Sequence, residues 1–254
     1  MSGIRPNRAK EKLGAGKTVI AVSGLASADL VDQIGPLGLD AVWLEAEHGP
    51  IDFGCIGDLT RACDLWGMTS IVRVNALDYG VIYRSLDLGA QAICVPHIDT
   101  ADDAKGFVKA AKFAPLGRRG MFTSRQGYGV PDYFKVANDH TLLIALIEDA
   151  KAVENLDAIL AVDHIDVFFV APSDLAASMG HIGEIQHPKV QRTIDQTLGR
   201  ISAAGRTAGT LLLRHQNLER YVGLGVRFFM TPIMPWIADG ARAVHEATSA
   251  FGRR

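Results

Sequence analysis

Five short stretches of this 254-residue chain place groups capable of acid–base, anion-binding or metal chemistry directly after apolar runs. They are Glu45-Ala46-Glu47-His48, Arg73 with Asn75, Pro96-His97, Glu148-Asp149 and Pro172-Ser173-Asp174. Glu148 and Asp174 lie one strand–helix–strand repeat apart, at matching ends of what read as adjacent strands. Neighbouring strands run about 4.8 Å apart, so two such carboxylates can converge on one ion. Without a cation they would repel, and one would tend to keep its proton. Oxygen-only ligands favour a hard ion, Mg²⁺ or Mn²⁺, with water or substrate completing the shell. Asp174 has a second reading, as the N-cap of the turn SDLAASMG.

Arg73 stands inside SIVRVN, where alternation puts Ile71, Arg73 and Asn75 on one face. A guanidinium among apolar neighbours needs an anion. That anion is either a structural carboxylate, Glu45 or Glu47, or a substrate carboxylate gripped by two hydrogen bonds. His48 either moves a proton near neutral pH or simply bonds to backbone. His97 has the same placement, whereas His140, His164 and His245 read as loop or helix-surface residues. None of the nine lysines ends an apolar run. A Schiff-base aldolase needs a desolvated lysine there, so a metal must act as the electron sink.

The elements that would position these groups follow one rhythm. Short β-branched runs at 18–24, 41–48, 69–75, 90–97, 142–149, 165–172, 206–213 and 226–232 alternate with amphipathic stretches. Nearly continuous apolar runs are the mark of parallel strands covered on both faces. Gly38, Gly67, Gly89, Gly205 and Gly225 stop a helix just before a strand. Eight such units in about 250 residues predict one α/β domain over 1–254, a single (β/α)8 TIM barrel with its chemistry at the C-terminal strand ends. No GxGxxG follows the first strand, against a dinucleotide site. The long Gly-, Pro- and Arg-rich stretch 113–139 reads as an extended loop before strand five, an active-site flap or an oligomer contact. The C-terminal helix, 238–254, has no strand after it and either closes the barrel or packs on another subunit.

Composition narrows the classes. Hydrophobic residues make up 48% and charged residues 21%, ordinary for a globular domain. A net charge of −2 argues against a nucleic-acid surface. No apolar run approaches the roughly 20 residues that span a bilayer, so no membrane partner is expected. The polar, basic N-terminus does not read as a secretory signal. Cys55, Cys63 and Cys94 suit neither a disulfide framework nor zinc, which predicts a reducing, cytoplasmic setting.

In LGLDAVWLEAEHGP (37–50), SIVRVN (70–75), SLDLGAQAICVPH (85–97), FAPLGRRG (113–120), ALIED (145–149) and VAPSDLAASMGHIG (170–183) the chain resembles the HpcH/HpaI aldolases, metal-dependent (class II) pyruvate aldolases. The resemblance runs from about residue 10 to the C-terminus. It implies Glu148 and Asp174 as ligands of Mg²⁺, Mn²⁺ or Co²⁺, and Arg73 as the grip on a 2-keto acid, pyruvate or hydroxypyruvate. It implies His48 for acid–base work with Asp87 paired to it, Ser173 in the turn facing the substrate carboxylate, and an aldehyde as second substrate. It further implies a homo-hexamer, a trimer of dimers that exchanges C-terminal helices. Two other readings stand beside it: a CoA-ester lyase of the same superfamily, for which no basic cluster is visible, and a non-catalytic keto-acid-binding barrel. The chain departs from the family in Glu45-Ala46 for Asp-Gly, Ala171-Pro172 for Gly-Pro, and FFMTPIM in strand eight.

Overall fold

Eight parallel strands close into a barrel in sequence order in the computed structural model, which describes residues 3–251. The chain runs α1 (Arg8–Gly14), β1 (Val19–Ser23), α2 (Ala28–Ile34), β2 (Ala41–Glu45), α3 (Phe53–Leu65), β3 (Thr69–Arg73) and α4 (Tyr79–Asp87). It continues through β4 (Ala92–Val95), α5 (Ala101–Ala111), α6 (Tyr133–His140), β5 (Leu142–Ile147), α7 (Ala150–Glu154), α8 (Leu156–Leu160) and β6 (Val167–Val170). The last part is α9 (Pro172–Ser178), α10 (Pro188–Ala203), β7 (Thr207–Leu211), α11 (Leu218–Gly223), β8 (Val226–Pro232) and α12 (Met234–Phe251). This is the (β/α)8 barrel that the periodicity predicts. Residues 1–2 and 252–254 of the expected domain lie outside the described residues.

Alternation along each strand makes two cores. Trp43, Ile71, Cys94, Ile144, Phe169 and Phe228 fill the barrel, while Val42, Val72, Ile93, Leu143, Phe168 and Phe229 face the helices. Inside, Trp43, Phe169 and Phe228 pack with ring centroids 5.4 to 6.4 Å apart. They fit because β7 carries Gly209 at that level, where a Cβ would come within 3.0 Å of Phe169 and Val167. Cys94 is fully buried and burial pushes its thiol well up, as suits a packing residue. The five glycines read as helix stops all adopt positive φ.

α1 plugs the N-terminal rim. Ala9 and Leu13 close the inner core, and Asn7 Nδ2 donates to the carbonyls of Gln91 (3.0 Å) and His140 (2.9 Å). His140 is thus half-buried rather than on the surface, and burial pushes its imidazole down to about 4.

Two further expectations change. The stretch before β5 is not one loop, because Tyr133–His140 forms α6 and Phe113, Tyr133 and Phe134 build a small aromatic cluster. As a helix-to-strand connection it lies at the N-terminal rim, so it is no flap over its own barrel mouth. α12 does not close the barrel either: residues 236–249 are all exposed, including Trp236, Ile237 and Val244. No described helix is long and apolar enough to cross a membrane.

Candidate active site

The period of two that builds the inner core also delivers its polar cap. Ala41, Trp43 and Glu45 point inward along β2, as do Thr69, Ile71 and Arg73 along β3, and Glu45 pairs in register with Arg73. Leu142, Ile144 and Leu146 continue the same way to Glu148, just past β5. Asn75 falls beyond β3 and leaves this series: it is exposed and lines a separate cavity with Asp52, Phe53 and Ser85.

Glu45 organises the turn after β2. Its Oε1 accepts from the backbone N–H of Glu47 (2.9 Å) and His48 (3.1 Å), and its Oε2 accepts from Trp43 Nε1 (3.2 Å) and Arg73 Nε (2.7 Å). The chain can return this closely only through Gly49, where a Cβ would lie 2.5 Å from the Glu45 carbonyl oxygen. Arg73 Nη1 lies 3.0 Å from Glu47 Oε2. Burial opposes the charge on Arg73, but the two glutamates outweigh it and hold its pKa above the ordinary arginine value. Both structural partners named from the sequence are therefore present, and Arg73 still lines the cavity.

That cavity, of about 300 Å³, opens at the C-terminal rim between Trp43, His48, Arg73, Ser173, Asp174 and Met230. His48 is 69% exposed, with Nε2 3.8 Å from Glu47 Oε2. Asp174 sits in the first turn of α9 rather than at its cap. The N-cap is Ala171, with no side-chain bond, so the capping reading fails. Leu146 and Phe169 form the floor, and Leu211 and Met230 make an apolar wall.

Glu148, just past β5, is only 3% exposed, its Oε1 accepting the His97 backbone N–H at 2.8 Å. His97 holds φ at 52°, a left-handed backbone that is uncommon outside glycine. Burial pushes the Glu148 carboxyl up, and the charges of Asp174 and Glu47 push the same way against the His97 N–H. Glu47 is likewise raised, by burial first and by Glu45 as well, against the opposing charges of Arg73 and His48, and its buried Oε2 makes no hydrogen bond beyond the ion-pair contact with Arg73. Asp174 itself is exposed at the rim, but a buried carboxylate under the like charges of Asp174 and Glu47 fits a divalent cation, whose charge would relieve both the repulsion and the lost hydration of Glu148.

Asp87 is elsewhere. It ends α4 at the N-terminal rim, where Arg119 Nη2 donates to its Oδ1 at 2.7 Å. Burial raises its carboxyl and Arg119 opposes that rise. Within one chain it lies at the opposite end of the barrel from His48. The structure thus gathers His48, Arg73, Ser173 and Asp174 around one cavity, couples Asp174 to the buried Glu148, and leaves Asp87 out. Sequence reasoning named Glu45 and Glu47 as partners of Arg73, but it missed that Glu45 also ties down the turn to His48 and that the His97 backbone pins Glu148. Counting inward positions from Trp43 puts Glu45 on the face of Arg73; nothing local marks the role of His97.

The chain has relatives among known proteins. The family described as HpcH/HpaI aldolase/citrate lyase matches residues 20–231. A hydroxypyruvate/pyruvate aldolase of Roseobacter denitrificans is 35% identical over 227 residues, 87% of this chain and 89% of the relative. A 5-keto-4-deoxy-D-glucarate aldolase of Salmonella arizonae is 35% identical over 231 residues, 89% of this chain and 90% of the relative. A solved HpcH/HpaI aldolase/citrate lyase family protein of Burkholderia cenocepacia superposes with a TM-score of 0.90 at 27% identity, over 96% of this chain and 99% of that one.

Proposed function

The chain belongs to the HpcH/HpaI aldolase/citrate lyase family, and from that premise we propose that it is a metal-dependent aldolase joining a 2-keto acid, pyruvate or hydroxypyruvate, to an aldehyde, or cleaving the product. It is a carbon–carbon lyase, as its named aldolase relatives are. The observation that carries the reading is one cavity that collects an arginine, a histidine and an aspartate, the charge of that aspartate acting on the buried Glu148.

Arg73, braced by Glu45, presents its remaining donors to the keto-acid carboxylate, and Ser173 at the start of α9 supports the same end. Glu148 and Asp174 would hold a divalent ion, Mg²⁺, Mn²⁺ or Co²⁺. When bound, such an ion supplies positive charge where enolate charge develops. His48, beside Glu47 and open to the cavity, takes the hydroxyl proton as the bond beside C3 breaks, or returns it on condensation. The apolar wall of Leu211 and Met230 limits water around the enolate carbon.

Asp87 and the stretch 113–132 can meet His48 only if they come from another copy of the chain. Exposed Met121 and Phe122 in that stretch and the uncovered α12 support a homo-oligomer, which we take to be a hexamer built as a trimer of dimers. We place residues 1–254 in one domain acting in the cytoplasm, in keeping with three free thiols.

Pyruvate and hydroxypyruvate should each condense with a short aldehyde only after metal is restored to chelator-treated protein, and borohydride should trap no adduct with pyruvate. Metal-independent turnover, or a reduced lysine adduct, refutes the mechanism.

A further inference from the structure

Away from the Glu148–Asp174 site, the connection from α9 to α10 holds the only group of three His, Cys, Asp or Glu side chains, among the described residues, close enough to share an ion. Two glycines with positive φ, Gly180 (81°) and Gly183 (77°), fold this connection back on itself. Backbone bonds from Glu184 N to the His181 carbonyl (3.0 Å) and from His187 N to the Glu184 carbonyl (2.8 Å) then set three residues at intervals of three. One ligand atom from each of His181, Glu184 and His187 lies within 4.8 Å of the others. The two imidazoles stack with centroids 3.8 Å apart, and His181 Nδ1 is 3.4 Å from Glu184 Oε2.

We propose that His181, Glu184 and His187 form a second metal site, selective for a borderline transition ion of the zinc class and distinct from the oxygen-only site of the aldolase reaction. Two imidazoles and one carboxylate suit Zn²⁺, Co²⁺ or Ni²⁺ and are a poor match for Mg²⁺. Ligand atoms on a tetrahedral zinc are about 3.4 Å apart, the separation that His181 Nδ1 and Glu184 Oε2 already have, so only wider pairs within the 4.8 Å group must close. The rings are within 20° of parallel and must fan apart before both lone pairs meet at one point. Rotation about the outer histidine torsion, a broad one, achieves this. His187 Nδ1 accepts the N–H of Lys189 at 3.3 Å, a long cap on α10 that ligation through Nε2 would surrender. Glu184 is 64% exposed and His181 23%, so an ion enters from solvent and keeps water in its fourth position. Because α9 carries Ser173 and Asp174, an ion here would tie the catalytic rim to the start of α10.

Zinc itself is the probe, and the site is tested with the full-length protein dialysed against Zn²⁺ in the presence of excess Mg²⁺, the bound metal being counted by elemental analysis. The wild-type chain and the Glu148→Gln variant should each retain about one zinc per chain, and the His181→Ala/His187→Gln variant should bind zinc at least about tenfold more weakly, given that outer partners alone change affinity 10- to 100-fold. That variant should keep its Mg²⁺-dependent aldolase activity. Should it fail to fold, Glu184→Gln must weaken zinc binding by a similar factor, and X-ray absorption on the zinc-loaded wild type must show two imidazole ligands. No zinc retained by the wild type, zinc retained equally by the histidine variant, or zinc lost on Glu148→Gln alone would each overturn the proposal. Aldolase activity is read separately, so failure of one reading leaves the other standing.

Discussion

The two rims of the barrel are made by the same eight strands and treat charge in opposite ways. At the N-terminal rim acids meet bases: Asp40 faces Arg8 and Lys12, Asp64 faces Arg5 and Arg125, Asp87 faces Arg119, and Asp166 faces Lys10. Lys112, nearly buried there, donates to the carbonyls of Asn138 and Thr141. At the C-terminal rim Glu45 and Glu47 share the single guanidinium of Arg73, Glu148 feels the like charges of Asp174 and Glu47, and both Glu47 and Glu148 have raised pKa values. Satisfied charge stabilises a fold, whereas crowded like charge stores free energy that a ligand can release. The spare buried atoms of Arg119, Arg125 and Gln126 are the exception at the lower rim, and they belong to the segment we assign to a contact between copies.

The contrast predicts that upper-rim variants lose catalysis without losing stability. Glu148→Gln should lower kcat/KM at least about a thousandfold, because a Lewis-acid site is worth several kcal/mol. Its melting temperature should be unchanged or higher, since a repelled carboxylate has gone; a fall of many degrees would break the comparison. Asp87→Asn and His48→Asn should each be nearly inactive alone. Refolded together in equal amounts, they should regain up to about a quarter of wild-type activity, the fraction of mixed sites with both residues intact. Absence of any recovery would remove Asp87 from the site.

Arg73→Lys should cost about a hundredfold, mostly as a raised KM for the keto acid, because an ammonium cannot brace Glu45 and present a flat fork to substrate at once. At the lower rim, Arg119→Ala should destabilise by about 2–4 kcal/mol in urea titration, the lower part of the range for breaking a buried pair because Asp87 retains some water. A pH-dependent effect at the same rim concerns Lys112. Burial lowers it to about 7, below the unfolded value near 10.4, so between those limits the unfolded chain holds the extra proton. Stability from this position should therefore rise as pH climbs from about 7 toward about 10, and Lys112→Met should flatten that rise in urea midpoints.

Much of this was legible in order and period alone. Strict alternation in AVWLEAEH and SIVRVN already sets Trp43, Glu45, Ile71 and Arg73 on one face, and the glycines before the strands mark where helices stop. Even the position of the stretch 113–132 follows from the repeat, since a helix-to-strand connection must return to the N-terminal rim. Reading it as a flap over the mouth of its own barrel overlooked strand direction.

Local sequence determined the barrel, its inward and outward faces and the rim to which each polar residue belongs, because strand pleat and helix stops are short-range properties of the backbone. Only the closed structure decided that Arg73 is shared between Glu45 and Glu47, that Glu148 feels Asp174, that Asp87 answers to Arg119, and that His181 stacks on His187. Those are long-range or loop-closure contacts, set by how strands and turns meet in space, and no spacing along the chain encodes them.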